Sequence, residues 1–188
     1  MIKNIFKIIE KYFQKFPEDK EKLLVFKKQI GEEKDLFDRK NFIGHIVVNA
    51  LIINKDRVLT IFHNKLKMYI QPGGHVDNTD NSVLDATIRE VEEETGLKDI
   101  ILENWHEESG IPIFIESHLI PKNNTKNEDE HYHHDFMYIF STNSANINLQ
   151  LEEVSDFEWI KIDKILKENP ESFIGKSLER MFDFGIIQ

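Results

Sequence analysis

Residues 89–97 read Arg-Glu-Val-Glu-Glu-Glu-Thr-Gly-Leu, and a glycine pair precedes this run at positions 73 and 74. On a helix, Glu90, Glu93 and Glu94 fall at i, i+3 and i+4, so the spacing predicts that their carboxylates project from one patch of surface. Two carboxylates about 4 Å apart repel by roughly 4 kcal/mol at an effective dielectric near 20. Such a cluster needs a cation, a proton or open water, and Mg²⁺ or Mn²⁺ with oxygen ligands meets that need.

The sequence also predicts where this helix begins and ends. Gly96 is a C-terminal stop, and three residues offer an N-cap: Asp80, Asn81 and Ser82. An apolar stripe at i, i+4 and i+7 is formed by Leu84, Ile88 and Val91. We expect this stripe to anchor the helix with its acidic patch pointing away from the core. A glutamate-rich face that is only solvated is the alternative, and it is the commoner outcome for charge runs.

A glycine loop leads into the helix. Residues 68–70, Met-Tyr-Ile, are typical of a short strand, and they run into residues 71–77, Gln-Pro-Gly-Gly-His-Val-Asp. Because glycine has no Cβ, Gly73 and Gly74 allow backbone groups to approach an ion or a phosphate closely. A Pro-Gly-Gly alone usually marks only a turn, whereas a strand, a glycine loop and an acidic helix in succession are a sharper signal.

At this point the chain resembles the Nudix hydrolases, whose box reads Gly-x5-Glu-x7-Arg-Glu-U-x-Glu-Glu-x-Gly-U, with U an aliphatic residue. The second half of the box is matched at every specified position: Arg89, Glu90, Val91, Glu93, Glu94, Gly96 and Leu97. The first half departs from the pattern, because counting forward from Gly74 reaches Asp80 and counting back from Arg89 reaches Asn81. The loop is therefore one residue longer and lacks the usual glutamate, for which Asp77 or Asp80 is the substitute.

The resemblance covers about residues 42–167 and implies a fold. Residues 42–53 are similar to the first core strand of the family, and residues 156–160 are similar to the late strand before its final helix. The implied architecture is α/β: a Nudix fold, in which an α/β/α sandwich surrounds a mixed sheet.

The chain is expected to have two parts. Apolar residues at helical spacing, interrupted at Phe16-Pro17, predict a helical extension over residues 1–40. The Nudix hydrolase domain with its C-terminal helix then covers residues 41–188. For the extension, packing on its own domain and forming a homodimer are both open, and packing is the commoner outcome.

The resemblance also implies a reaction and the residues that perform it. The reaction is hydrolysis of a nucleoside diphosphate linked to another moiety, by attack of water on phosphorus, with Mg²⁺ or Mn²⁺ as cofactor. The implied metal ligands are Glu93, Glu94, Glu90 and a carbonyl of Gly73 or Gly74. Glu90, Arg89 and Glu93 are the catalytic candidates, with Glu90 as ligand or base and Arg89 orienting the cluster. The general base stays open, and later-loop candidates are Glu128, Glu130, Glu152 and Glu153.

A second cluster follows a polar loop over residues 121–130. Residues 131–135 read His-Tyr-His-His-Asp, and on a strand His131, His133 and Asp135 share one face. Some Nudix relatives are similar here, with a His-x-His-x-Asp after a polar loop. A substrate-binding role and a structural role both stay open for the three residues. A zinc site would need further ligands, for which His118 is a candidate neighbour.

Composition excludes several classes of protein. The formal net charge of −10 argues against binding a nucleic-acid polymer, since phosphate backbones require basic surface. The isopentenyl diphosphate isomerases share the Nudix fold but use a cysteine, and this chain has none. The lack of cysteine, of a long apolar run and of a signal-peptide pattern favours a cytoplasmic protein that does not enter a membrane.

Two functions therefore remain from the sequence. The first is a pyrophosphohydrolase whose partner is a small nucleotide-type diphosphate substrate. The second is a catalytically silent Nudix-like module that senses a nucleotide, although such modules usually lose box residues. The identity of the substrate is not encoded in the box, because the box builds only the diphosphate site and the loops select the rest.

Overall fold

A computed structural model describes residues 2–32 and 35–187. The helices are α1 (Ile2–Lys15), α2 (Leu24–Gly31), α3 (Val83–Thr95), α4 (Asn104–Ser109), α5 (Ile162–Glu168) and α6 (Phe173–Asp183), with a 3-10 turn at Pro17–Lys20. The strands are β1 (Gly44–Asn54), β2 (Arg57–His63), β3 (Met68–Ile70), β4 (Gly73–His75), β5 (Ile101–Leu102), β6 (Phe114–Ile120), β7 (His131–Ser141) and β8 (Val154–Lys161). Among these described residues, the helices are all too short or too polar to cross a membrane.

The strands form one mixed sheet with a parallel pair at its centre. β1 runs parallel to β7, so that His45 lies beside His133 and Ile53 beside Ser141. β4 and β2 pair with β1 in the antiparallel sense, and β6 pairs with β7 in the same way. β1 is an almost unbroken apolar run because both of its faces are covered.

Successive residues of the central strands enter two different cores. Ile46 and Val48 of β1 pack with Phe136 of β7 beneath α1, α2 and α3. Leu51 of β1 and Ile139 of β7 pack on the opposite face, against α5 and α6. The period of two along a strand produces this division. The predicted α/β sandwich around a mixed sheet is confirmed.

The N-terminal helices are joined to the rest of the chain by a buried polar cluster. The Tyr12 hydroxyl donates to Asp19 Oδ2 at 2.6 Å and accepts from the backbone N–H of Ile115 at 2.9 Å. Arg180 of α6 donates to both Tyr12 and Asp19, at 2.9 and 3.0 Å, and its guanidinium lies 4.0 Å from the ring centre of Phe16. The helices predicted before the catalytic unit are therefore present and packed on it. The division at residues 40 and 41 stays a prediction.

Helix α3 has the predicted ends but a different buried face. Ser82 Oγ accepts from the backbone N–H of Asp85 at 3.0 Å, and Gly96 ends the helix with a φ of 68°. The buried residues are Val83, Ala86, Thr87, Val91, Glu94 and Thr95. Of the predicted stripe, Val91 lies in the core and Leu84 packs against it, but Ile88 is 39% exposed. Because Glu94 is buried, the prediction that the acid patch points away from the core is wrong.

Small side chains explain the difference. Ala86 and Thr87 let α3 approach the strands closely, and Thr87 donates its hydroxyl to the Val83 carbonyl at 2.8 Å. Thr95 donates to the Val91 carbonyl in the same way. A polar residue that satisfies itself on its own helix can be buried at little cost, and a stripe defined by large apolar residues overlooks it. The face that carries Glu94 consequently turns toward the sheet.

Candidate active site at the glycine loop and helix α3

The glycine pair lies directly against the carboxylates of α3. The backbone N–H of Gly73 donates to Glu94 Oε2 at 2.9 Å. A Cβ added to Gly74 would lie 2.6 Å from the Glu90 carboxylate, which any side chain at that position would displace. The pair is needed because α3 and β4 approach closely. The close approach of its backbone to an ion or a phosphate stays a prediction. The backbone of the glycine pair and the carboxylates of Glu90 and Glu94 therefore share one small region.

Arg89 lies at the centre of this region. Its Nε and Nη2 donate to the two oxygens of Asp80, each at 3.0 Å. Its Nη1 donates to Glu90 at 2.9 Å and to Glu93 at 3.0 Å, and Nη2 also donates to the His75 carbonyl at 2.8 Å. The planar guanidinium suits such paired contacts, which hold several acceptors in one arrangement.

Asp80 is the loop carboxylate that meets Arg89. It is 8% exposed and also accepts from the backbone N–H of Asp77 at 2.7 Å. Asp77 and Asn81 are exposed, and the nearest approach of the Asp77 carboxylate to Arg89 is 4.0 Å. Burial acts to raise the pKa of Asp80, but the hydrogen bonds from Arg89 and Asp77 outweigh it and lower that pKa. Asp80 therefore stays ionised beside the guanidinium.

The glutamates of α3 differ in their surroundings. Burial raises the pKa of Glu90 to about 7, against the opposing effect of Arg89. Burial raises the pKa of Glu94 to about 8, against the hydrogen bond from Gly73. The Glu93 side chain is 52% exposed. Two buried carboxyls that hold protons near neutral pH will release them to a divalent cation, and this set of oxygen donors fits Mg²⁺ or Mn²⁺.

The four later-loop glutamates lie in different environments. Glu130 and Glu152 are exposed, and Glu128 forms an ion pair with Lys126 at 3.9 Å. The charge of Glu153 is among those that raise the pKa of Glu94, and Glu153 also pairs with Lys65 at 3.4 Å. Of the four, Glu153 is therefore the one whose charge acts on Glu94.

The second cluster is formed by three histidines from two strands. His131 and His133 of β7 lie beside His45 of β1, with one imidazole nitrogen of each residue within 4.8 Å of the others. The ring of His75 on β4 is centred 5.1 Å from that of His45 and 5.4 Å from that of His133. Burial lowers the pKa of His133 to about 2 and that of His75 to about 3, so both rings are neutral at pH 7.

Asp135 shares the strand face of His131 and His133 but has other partners. Its carboxylate accepts from Asn49 Nδ2 at 3.1 Å and lies 2.5 Å from His118 Nδ1. Gln71 in turn donates to Asn49 at 2.7 Å. The hydrogen bond to Asp135 raises the pKa of His118. The structure therefore brings His131 and His133 together with His45. Asp135 instead pairs with His118, whose ring is centred 5.5 Å from that of His133.

Comparison with known proteins decides the family. The model of the NUDIX domain family matches residues 44–181. The chain belongs to the NUDIX family. The sequence prediction of a Nudix hydrolase, which acts on diphosphate bonds, is confirmed at the level of the family.

Relatives of this Nudix protein are distant. A protein of Lactococcus lactis subsp. cremoris (strain MG1363), named a probable DHNTP pyrophosphohydrolase, is 32% identical over 125 residues. The match covers 66% of this chain and 66% of that protein, so the chain spans about two thirds of its relative's length.

Solved structures agree on the fold. A NUDIX-family hydrolase from Clostridium perfringens has a TM-score of 0.55 at 24% identity, covering 74% of this chain and 97% of that one. The E. coli dihydroneopterin triphosphate pyrophosphohydrolase has a TM-score of 0.54 at 13% identity, covering 74% of this chain and 96% of that one. At such identities the likeness concerns the fold alone.

Sequence reasoning missed two residues of this Nudix protein. His45 stands within an apolar strand, and His75 directly follows the glycine pair. A histidine within the otherwise apolar run of β1 is unusual, and it could have indicated that His45 has a functional role. The neighbouring histidines of His45 could not be identified without the pairing of β1 with β7 and β4.

Proposed function

We propose that this Nudix protein hydrolyses a nucleoside diphosphate linked to another moiety, by attack of water on phosphorus. The observation that carries the proposal is the contact of the glycine pair with Glu90 and Glu94, two carboxylates of the second half of the box. Glu94 accepts a hydrogen bond from the Gly73 N–H on Oε2, and its Oε1 is available to bind an ion. The ligands of Mg²⁺ or Mn²⁺ would be Glu90, Glu93, Glu94 and the Gly74 carbonyl. When bound, the ion neutralises charge on the phosphoryl oxygens and makes a water more acidic.

In this proposal Arg89 is a positioning residue. A guanidinium has five N–H donors, and those of Arg89 make the contacts to Asp80, Glu90, Glu93 and the His75 carbonyl described above. No donor is left over for a phosphate. Arg89 instead holds Glu93 toward solvent, where an ion and a substrate arrive, and keeps Glu90 against the glycine loop.

For the general base, we favour Glu153 among the later-loop candidates. Its charge acts on Glu94, and its side chain is 54% exposed, so it is accessible to a water at the cluster. Replacing Glu153 by Gln should then lower kcat while leaving binding of the metal intact. His131, His133 and Asp135 are proposed to contact the substrate from the neighbouring sheet face.

The substrate class is open to a direct test. The Lactococcus lactis relative is named for DHNTP, which makes dihydroneopterin triphosphate one compound to include. The others are an oxidised nucleoside triphosphate, ADP-ribose, a sugar nucleotide and a dinucleoside polyphosphate. We further propose a cytoplasmic location, supported by the absence of cysteine, and retain a homodimer as the alternative to a packed N-terminal extension.

The deciding experiment is a screen of this panel with Mg²⁺ and with Mn²⁺, using release of phosphate or pyrophosphate as the readout. Glu93→Gln should lower kcat/KM by at least about 100-fold and keep the native fold. Glu92→Gln is the matched control, because Glu92 lies on the same helix but pairs with Lys98 at 2.7 Å. A native metal-dependent rate in Glu93→Gln would overturn the assignment. Tight nucleotide binding without turnover across the panel would favour the sensor.

A further inference from the structure

Three histidines lie together on the sheet, and none of them is among the proposed ligands of Mg²⁺. His45, His131 and His133 each offer a ring nitrogen, and these nitrogens lie within 4.8 Å of one another. His45 and His131 are buried, at 1% and 5% exposure. Each neutral imidazole has one nitrogen with a lone pair, and a buried lone pair needs a hydrogen-bond donor or a cation.

Hydrogen bonds determine which nitrogen of two rings is free. His131 Nδ1 lies 2.7 Å from the carbonyl oxygen of Asp129, and His45 Nδ1 lies 3.5 Å from that of Asn41. A carbonyl oxygen only accepts, so in both rings Nδ1 carries the proton and Nε2 carries the lone pair. Among the residues that the structure describes, Nε2 of the buried His45 has no hydrogen-bond partner. The lone pair of this buried nitrogen is therefore unsatisfied, next to the rings of His131 and His133.

This is the usual arrangement around a metal-bound histidine. A ligating imidazole commonly donates its other ring N–H to a backbone carbonyl, which fixes both the tautomer and the orientation of the ring. Here two of the three rings are held in that way by carbonyls of the segments that precede β1 and β7. The sheet supplies the rest of the frame, because His45 and His133 are direct neighbours in the parallel pair of β1 and β7.

We propose that His45, His131 and His133 form a binding site for a transition-metal ion, with Zn²⁺ the best fit. Imidazole nitrogen suits Zn²⁺ and its neighbours in the series, whereas Mg²⁺ prefers oxygen. With Zn–N bonds of 2.0–2.1 Å, tetrahedral ligand nitrogens lie about 3.3 Å apart. The present separations are up to 4.8 Å, so an ion would draw the nitrogens closer by about 1.5 Å at most. Three protein ligands leave one coordination position open to water or to an oxygen of a substrate.

The site adjoins the glutamate cluster without sharing a ligand with it. His75 connects the two: its ring is centred 5.1 Å from that of His45, while its backbone carbonyl accepts from Arg89 at 2.8 Å. The two sites therefore differ in donor chemistry, nitrogen in one and oxygen in the other. An ion at the histidines would therefore be held next to the glycine loop.

The test measures binding of metal and needs no turnover, so it stands apart from the hydrolase proposal. Metal-free protein is titrated with Zn²⁺ by calorimetry, with excess Mg²⁺ present to occupy the carboxylates, and with Co²⁺ by visible absorption. We expect one tightly bound Zn²⁺ and a Co²⁺ spectrum typical of four-coordinate nitrogen ligation. His133→Ala should weaken Zn²⁺ binding by at least about 100-fold, since even changes around a ligand cost 10–100-fold.

The matched control is His63→Asn, which removes a histidine on β2 outside the cluster and should leave the affinity unchanged. Circular dichroism and thermal unfolding check that both variants are folded. Equal Zn²⁺ affinity in the native protein and His133→Ala would overturn the site. If His133→Ala does not fold, the native protein still decides: absence of the Co²⁺ spectrum, or displacement of Zn²⁺ by Mg²⁺, would also overturn it.

Discussion

Replacement of Glu94 by Gln should stabilise the metal-free protein at high pH. Burial raises the pKa of Glu94 from 4.5 to about 8 in the folded chain. A group whose pKa is higher in the folded state contributes stability that is present below its unfolded pKa and lost as pH rises through its folded pKa. The window therefore runs from about pH 4.5 to about pH 8. Glutamine keeps an acceptor for the Gly73 N–H and cannot ionise.

The magnitude follows from the same shift. Each pKa unit corresponds to about 1.4 kcal/mol, so about 3.5 units set an upper limit near 5 kcal/mol. Glu90 shares the region and titrates at about 7, so part of the cost is common to both groups, and we expect about 3 kcal/mol. In a chain of this size that is a shift in Tm of about 6–12 °C.

The assay is thermal unfolding in chelator at pH 5.5 and pH 8.5, repeated with Mg²⁺. At pH 8.5 in chelator Glu94→Gln should melt above the native protein, and at pH 5.5 the gap should shrink. With Mg²⁺ the difference in Tm between Glu94→Gln and the native protein should become smaller or change sign, because the ion stabilises only the chain that binds it. Glu92→Gln, exposed on the same helix, is the control and should follow the native protein throughout.

One result would refute this reasoning. If Glu94→Gln melts below the native protein in chelator at pH 8.5, ionised Glu94 is a satisfied structural acceptor. The hydrogen bond from Gly73 would then stabilise the ionised carboxylate by more than burial destabilises it. The carboxylate cluster would be stable without a bound cation.

Two other changes test the loop and the N-terminal helices. Asp80→Asn should lower kcat/KM more than tenfold and destabilise the fold by about 1–3 kcal/mol, because Arg89 loses the carboxylate that accepts from both its Nε and its Nη2. Asn81→Ala, at an exposed position, should change neither quantity. Equal losses in the two variants, measured by kinetics and denaturant unfolding, would contradict the role of Asp80. Arg180→Met should destabilise the protein by about 3–5 kcal/mol in urea, because Asp19, 1% exposed, loses its hydrogen-bonded cation and keeps only the exposed Lys22 at 3.8 Å. Adding Asp19→Asn should recover part of that loss, and a loss below about 1 kcal/mol would mean that the N-terminal helices are weakly attached.

The sequence by itself determined the chemistry of α3 and the class of fold. Glu90, Glu93 and Glu94 are neighbours along the chain, so helical spacing alone places their carboxylates on one patch. The caps at Ser82 and Gly96 are equally local, and the structure has both. The pattern of strands, glycine loop and acidic helix was sufficient for the Nudix family and its α/β sandwich, because each of these signals depends only on residues close together in the chain.

The tertiary structure alone decided three matters. It turned the face with Glu94 toward the sheet, because Ala86 and Thr87 allow a close approach that a stripe of large apolar residues does not reveal. It selected Asp80 over Asn81, because the reach of Arg89 depends on the path of the loop.

The third matter is the histidine cluster. His45 joins His131 and His133 only because β1 and β7 pair in parallel. Such pairing connects residues far apart in the chain, and the order of the strands in the sheet, rather than any local periodicity, determines which side chains meet.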